Sequence, residues 1–399
     1  MPSVPMRSTS LDLTDPSVVA DPYPFLAEER ARGPVAWHAA SSSYLTFDHA
    51  TAGAVLRDRR LGRIWKDREP AAELEPFNVL HRNQMMETEP PDHTRLRRLV
   101  ASAFNRGHVE RLRPRVRELA ASLLAAVDPT ADGGFDVVGD YAEPLPVLVI
   151  AELLGVPASA APDLRLWSQA IVRMYEPAPS PAVVERAVRA ADEFAGMVRE
   201  LAADRRTAPR DDLVSDLVAA RDRGASLSED EVVASAVLLL NAGHEASVNV
   251  FGNGLVAMLR HGVRPEREQV TTCVEEMLRY DSALQLFERT ATEQVEVGGV
   301  LLEPGEKIAV LLGAANRDPG VFDEADTFRP DRDPNPHLAF GAGLHFCLGA
   351  PLARMELVES LGHLLDAMPD LRLAREPESR ETFVLRGYRS VHVSSVRGR

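Results

Sequence analysis

The sequence predicts a mainly helical protein with small β-sheets, of the α+β class, and three observations lead there. Residues 108–225 read as Ala-, Leu- and Arg-rich helices separated by Pro and Gly, with no fixed period that would make them repeats. One apolar helical pattern then runs from Ser228 to Gly262, which at 1.5 Å per residue is roughly 48 Å of helix. Short strand-like segments stand near both ends of the chain, so the sheets are small and peripheral.

Taken in order, Pro22 to Arg32 reads as a helix, Val35–Trp37 and Tyr44–Phe47 as strands, and His49 to Arg57 as a second helix. Residues 60–88, with Trp65, Pro70, Pro76 and Phe77, show little periodicity; a long irregular segment with apolar content points to function. Glu89-Pro90-Pro91 feeds a helix on which His93 and Arg97 stand four apart and share a face. Glu176-Pro177-Ala178-Pro179-Ser180-Pro181 is a stiff connection between helices, either an ordinary loop or a lid. The long helix opens with a capping box, Ser228 and Glu231, and its apolar circumference buries it. A polar patch in its middle, Asn241 to Ser247, is costly unless something uses it. Glu276 and Arg279 follow at i, i+3, a pattern that by itself is usually a surface pair worth under about 1 kcal/mol. Val295–Val297, Val300–Leu302 and Lys307–Leu312 read as strands, and a last β segment carries Phe383–Leu385 and Ser390–Val393.

Composition narrows the function classes. At 399 residues and 45% apolar content the core can enclose a sizeable cofactor. A formal net charge of −15 disfavours general nucleic-acid binding. Two cysteines argue against a disulfide framework and fit a reducing compartment. Met1 to Pro16 has no apolar core of a signal peptide, and no run of eighteen apolar residues occurs, so the expectation is a cytoplasmic protein without a membrane anchor.

One of the two cysteines lies in Phe340-Gly341-Ala342-Gly343-Leu344-His345-Phe346-Cys347-Leu348-Gly349, ahead of a helix with Leu352, Met355, Leu357, Val358 and Leu361 on its apolar side that ends near Met368-Pro369. A cysteine before a helix N-terminus meets unpaired N–H groups and the positive end of the dipole, which favour thiolate. Glycines at 341, 343 and 349 permit unusual turns and close approach. The plainer alternative is a buried free cysteine in a turn.

This loop resembles the haem-binding loop of the cytochrome P-450 family, Phe-x-x-Gly-x-x-x-Cys-x-Gly, at Phe340, Gly343, Cys347 and Gly349. Four further patterns resemble the family in order and spacing: the His93/Arg97 helix, the polar patch at 241–247, Glu276-x-x-Arg279, and Phe328-x-Pro330-x-Arg332. The resemblance covers essentially the whole chain. It implies one domain, 1–399, with a β-rich part (1–60, 290–315 and 380–395) and a helical part (89–280 and 345–368) enclosing haem b.

The resemblance also assigns roles. Cys347 is the implied axial ligand, whose thiolate pushes electron density toward bound oxygen, within the cofactor-binding loop that also holds Phe340 and Gly349. His93, Arg97, Arg289 and His345 are implied partners of the haem propionates. Glu276, Arg279 and Arg332 match a buried charge network holding the cysteine loop, and Cys273 is left as a structural thiol. On the distal side Gly243 and Glu245 follow the family pattern, but Ala246 stands at the alcohol position. Ser247, about 100° further round the helix, cannot simply replace it. Glu245, water and a substrate hydroxyl are expected to rebuild the relay, as in macrolide hydroxylases; the rivals are a leaky relay or a reaction less dependent on proton delivery, such as phenol coupling. Leu238, Asn241, Ala242, Gln285 and Val384, with Phe77 and Leu80, are expected to face the substrate, and the amides of Asn241 and Gln285 suggest an oxygen-bearing one.

The implied reaction is hydroxylation or epoxidation of a medium-to-large natural product by a monomeric haem-thiolate monooxygenase, with oxidative coupling or desaturation as the alternative. Electrons would come from ferredoxin and ferredoxin reductase. Arg97, Arg98, Arg329 and Arg354 are expected on the ferredoxin-docking face, and the lid at 176–181. A non-catalytic docking domain of the same fold lacks the cysteine and the haem contacts, so Cys347, His93 and Arg289 argue against it.

Overall fold

The computed structural model describes residues 7–103, 106–131, 133–176, 179–221 and 224–395. The helix Glu229–Arg260 is its axis, buried around almost its whole circumference. The capping box is formed: Ser228 Oγ accepts from the Glu231 N–H, and the Glu231 carboxylate accepts from the Ser228 N–H. The polar patch does not interrupt the helix, which is continuous through Asn241–Ser247. Helices Pro144–Leu154, Ala161–Val172, Pro181–Thr207 and Val270–Tyr280 pack on it. The helix Ala350–Ala367 lies against Arg106–Ala125 and Val270–Tyr280, and one apolar core runs through the assembly. Among the described residues no helix is long and apolar enough to cross a membrane.

The largest sheet has six strands in the order Ser8–Thr9, Val35–His38, Ser43–Thr46, Lys307–Leu311, Leu286–Ala291 and Leu61–Gly62. Ser43–Thr46 runs parallel to Lys307–Leu311, and Leu286–Ala291 antiparallel to it with Arg289 opposite Ile308. The strand Leu286–Ala291 gives no clean alternation, because Glu288, Arg289 and Thr290 follow one another on it. Residues 60–88 are less irregular than expected. They contain the helix Glu75–Arg82, started by Pro76, which buries Phe77, Asn78, Leu80 and His81. Phe383–Leu385 is not a strand: Phe383 and Val384 form a bend and Leu385 makes only an isolated antiparallel bridge to Leu284, and the final strands are Tyr388–Ser390 and His392–Ser394. Of the expected lid, Pro177 and Ala178 lie outside the described residues.

The charge network is present and dry. Arg279 donates to both oxygens of Glu276, at 2.8 and 2.7 Å, and Arg332 Nε adds bonds of 3.0 and 3.2 Å. The backbone N–H of Arg329 and the amide of Asn335 complete the shell, at 2.9 and 3.2 Å. Burial pushes the Glu276 carboxyl up, but the Arg279 bonds lead the terms that outweigh it and hold it below the usual range. Arg279 also donates to the carbonyls of Asn316 and Ala325, and Asn316 Oδ1 accepts from the Leu338 N–H at 2.7 Å. The network thus fixes the chain that leads into Phe340. Arg279→Met is expected to cost about 3–5 kcal/mol in urea melts, since it takes the two-point partner from a buried carboxylate and the donor from the carbonyls at 316 and 325. Arg332→Met is expected to cost less, because Arg279 stays; equal losses would contradict this order.

Candidate active site

The cysteine loop rests on the end of the helix His49–Arg57. Gly343 has φ 71°, and a Cβ there would overlap the Leu56 carbonyl oxygen, so only glycine fits. Gly349 differs from the expectation: its φ of −78° is ordinary, and its role is to begin the helix Ala350–Ala367. The Cys347 N–H donates to the Phe340 carbonyl at 3.0 Å and closes the loop, while the Arg354 guanidinium lies over the Phe340 ring. Burial pushes the Cys347 thiol up, against the N–H groups of Gly349 and Ala350 and the charges of Arg97 and Arg354. The helix N-terminus alone therefore does not make the thiolate; a cation on the sulfur is needed. Cys273 is buried and pushed up to about 12, as a structural thiol should be.

The surrounding donors fit an anionic, planar group. Arg289 is 2% exposed and meets no carboxylate at ion-pair distance among the described residues; its nearest contacts are the Glu288 carbonyl at 3.1 Å and the face of Phe287. Burial, helped by Arg63, pushes it down to about 9. His93, also 2% exposed, has no hydrogen-bond partner on either ring nitrogen among the described residues, and its ring lies 4.4 Å from that of His345. Burial first, then His345 and Arg97, push it down to about 4. Arg97 donates to the Phe346 carbonyl at 2.7 Å, and His345 Nε2 pairs with Glu89 at 2.8 Å. A buried cation without a counter-ion and two orphaned ring nitrogens match the carboxylates of haem, and the Cys347 sulfur matches its iron.

On the central helix, Leu239, Ala242, Gly243 and Ala246 retain accessible surface although residues 232–258 are otherwise buried. Their i, i+3, i+4, i+7 spacing makes them one face, bordering open space. A Cβ on Gly243 would meet Ile150 Cδ1 at 2.6 Å, so this glycine also admits the neighbouring helix Pro144–Leu154. Glu245 is buried to one side of the open face. Its Oε2 accepts from Arg380 at 2.6 Å, and its Oε1 has no hydrogen-bond partner among the described residues. Ser247 lies elsewhere, with Ser360 and Glu356 around a cavity of about 20 Å³, room for one water. Burial pushes the Glu356 carboxyl up to about 8, so it is a neutral acid at pH 7.

The expected substrate contacts divide. Asn241 is buried with its Oδ1 unpartnered, and Leu238 is buried in the core beside it. Gln285 is half committed: its amide nitrogen donates to the Ser282 carbonyl at 2.7 Å and the Tyr23 hydroxyl at 3.2 Å, while its Oε1, packed against Gly313, has no hydrogen-bond partner among the described residues. Phe77 is also committed, stacked on His81 at 4.0 Å within an aromatic group that includes Trp65, and Leu80 is buried on the same helix. The Val384 N–H donates to Glu176 at 3.3 Å. Sequence reasoning missed Glu89, Glu176, Glu356 and Arg380. Only Glu356 left a trace, as a carboxylate beside Met355 on the helix's apolar side.

A family model described as Cytochrome P-450 matches residues 263–368. The cytochrome P-450 monooxygenase PikC of Streptomyces venezuelae is 37% identical over 95% of this chain and 92% of its own. The 6-deoxyerythronolide B hydroxylase of Saccharopolyspora erythraea is 37% identical over 95% of this chain and 97% of its own. The crystal structure of P450BioI with an acyl carrier protein ligated to hexadec-9Z-enoic acid superposes with a TM-score of 0.89 at 31% identity, over 95% of this chain and 99% of that one.

Replacing Arg289 by Met is expected to act in opposite directions on the two forms of the protein. Haem transfer to apomyoglobin should speed up, while the haem-free chain should gain about 1–3 kcal/mol in urea melts as an uncompensated charge is removed. A loss in the haem-free chain would show that the guanidinium already has its partner. For Glu356 the folded value of about 8 stands above the unfolded carboxylate value, so its contribution is full at low pH and is lost as pH rises through 8. Between about pH 5 and pH 9 the parent should therefore lose more stability than Glu356→Gln; parallel curves would contradict the burial of this acid.

Proposed function

The chain belongs to the cytochrome P-450 family, a haem-dependent monooxygenase, and from that premise we propose that it hydroxylates a macrolide or similar oxygen-bearing natural product. The observation that carries this reading is the open face of the central helix, with small residues at 242, 243 and 246, and along one flank of it, four residues apart, the Asn241 amide oxygen and a Glu245 carboxylate oxygen, both without a hydrogen-bond partner among the described residues. Support for the macrolide class comes from the 6-deoxyerythronolide B hydroxylase, whose name states its substrate and whose chain is aligned nearly end to end with this one; the name of PikC supports monooxygenation.

When bound, haem supplies the iron that activates O₂ and accepts electrons. Everything else falls to the chain. Cys347 would hold the iron through sulfur, and Arg289, His93, Arg97 and His345 would hold the carboxylates, giving the buried cation its counter-charge. Ala242 and Ala246 leave room for a bulky substrate over the helix. Asn241 Oδ1 can accept from a substrate hydroxyl, which costs less than leaving it unpaired. Glu245 Oε1 is the atom available to hold or pass a proton. Because Ala246 has no hydroxyl, the link between Glu245 and the reacting carbon would be water and a hydroxyl of the substrate. Oxidative coupling or desaturation is the second reading, favoured by that same Ala246, since it demands less proton delivery.

Ferredoxin and its reductase are the proposed electron source. Of the four arginines expected on the docking face, Arg354 is bonded twice to Glu275, at 2.6 and 2.8 Å, and Arg329 is flanked by Glu324 and Asp331. The basic surface is therefore smaller than the count of arginines suggests.

The reduced, CO-bound protein is expected to absorb at the thiolate-ligated Soret position, and Cys347→Ser to lose that band. A histidine-type spectrum in the parent would end the reading. Titration with 6-deoxyerythronolide B is expected to shift the iron spin state more than hexadec-9Z-enoic acid does; the reverse order would move the substrate class to fatty acyl chains.

A further inference from the structure

The chain following the last long helix makes a hairpin, with Glu378–Ser379 paired antiparallel to Tyr388–Ser390. At its root Arg380 is fixed by the hairpin itself: the backbone N–H donates to the Gly387 carbonyl at 3.0 Å and Nε to the Tyr388 carbonyl at 3.1 Å. The far end of the same guanidinium donates to Glu245 Oε2 at 2.6 Å and stands 3.6 Å from Glu143 Oε1. Glu143 is held in turn by Arg165, at 3.0 Å, and by Gln169. His244 also touches Glu245, at 3.8 Å, but burial pushes it down to about 4, so it is neutral. Among the described residues Arg380 is thus the cation on Glu245.

The hairpin is gripped at several further places: Leu385 bridges antiparallel to Leu284, the Gln285 N–H donates to the Val384 carbonyl at 2.9 Å, and Arg386 Nε donates to Asp281 at 2.8 Å. A Cβ on Gly387 would overlap Asn249 Oδ1, so the returning leg lies directly against the central helix one turn beyond Glu245. At the tip, the Glu176 carboxylate accepts from the N–H groups of Val384 and Leu385, at 3.3 and 3.0 Å. Glu176 follows Tyr175, whose hydroxyl meets His81 Nε2 at 3.0 Å on the helix Glu75–Arg82. One short hairpin therefore carries a carboxylate grip at its tip and the counter-ion of the distal acid at its root.

We propose that Arg380 is the positioning residue of Glu245, and that Glu176 acts on Glu245 through the hairpin they share. The ion pair takes Oε2 and leaves Oε1 as the free oxygen, fixing which atom faces the proton path. Charge-assisted bonds in a dry site are directional enough to hold that choice. Loosening the tip lets Arg380 leave Glu245 for Glu143, and the acid loses its alignment. The proposal rests on the reading of Glu245 as the distal acid.

The test uses the haem-loaded full chain with Arg380→Gln, Arg380→Lys, Glu176→Gln and the double variant Glu176→Gln/Arg380→Gln. NADH-driven peroxide release, supported by ferredoxin and its reductase without added substrate, is measured in H₂O and D₂O. Arg380→Gln should slow release about tenfold and raise the solvent isotope effect, with Arg380→Lys recovering most of both. Glu176→Gln should move the isotope effect the same way. It should also speed hydrogen exchange at the 384 and 385 amides about tenfold. The double variant should be no worse than Arg380→Gln alone. Additive losses, or faster exchange with an unchanged isotope effect, would overturn the link; an unaltered Arg380→Gln would overturn the positioning role. Should Arg380→Gln fail to fold, Arg380→Lys and Glu176→Gln still decide. A parent lacking the thiolate-type CO band would bring down the haem-thiolate reading instead, while the exchange measurement stands without it.

Discussion

Inside the helix Val270–Tyr280 a carboxylate without solvent contact is held by two guanidinium groups, and the chain from Asn316 to Cys347 hangs from it. Glu276 cannot ionise there unaided, and Arg279 and Arg332 could not be buried without it. Because Arg279 spends its other donors on carbonyls at 316 and 325, a local i, i+3 pair becomes the anchor of a long meander with little regular structure. The meander delivers Phe340, and the Phe340 carbonyl closes the loop on Cys347. The ion pair does not touch the chemistry, yet the position of the sulfur depends on it.

The other side of the site follows the opposite rule. Arg289 and His93 are nearly as deeply buried as Arg279, but among the described residues Arg289 has no carboxylate at ion-pair distance and His93 no hydrogen-bond partner. Folding alone does not favour such an arrangement, and its cost is offset only when an anionic group arrives. Complete satisfaction at Glu276 and incomplete satisfaction at Arg289 thus separate what holds the frame from what would hold the cofactor.

Across the central helix, polarity is divided among three faces. Glu245 points to Arg380, Ser247 to the neutral acid Glu356, and Ala246 lies on the open face between them. A hydroxyl moved by one position cannot serve the same space, because each step turns the side chain by about 100°. The absence of an alcohol at 246 is therefore not repaired by Ser247. In the reaction proposed above it would place the demand on the substrate and on the way the C-terminal hairpin holds Glu245.

The sequence by itself determined whatever depends on neighbours a few residues apart. The Ser228–Glu231 capping box, the long apolar helix, the glycine-framed cysteine and the Glu276–Arg279 spacing were all legible, since local hydrogen bonds and helical periodicity leave their pattern in consecutive residues. The helix Glu75–Arg82 and the strand Leu286–Ala291 were not legible, one too short to show a period and the other crossed by charged residues. Only the tertiary structure decided which polar groups are already spent. The Gln285 amide nitrogen meets the Tyr23 hydroxyl across 262 positions, and Arg380 meets Glu245 across 135. Such pairings are fixed by how the elements pack, and no local spacing encodes them.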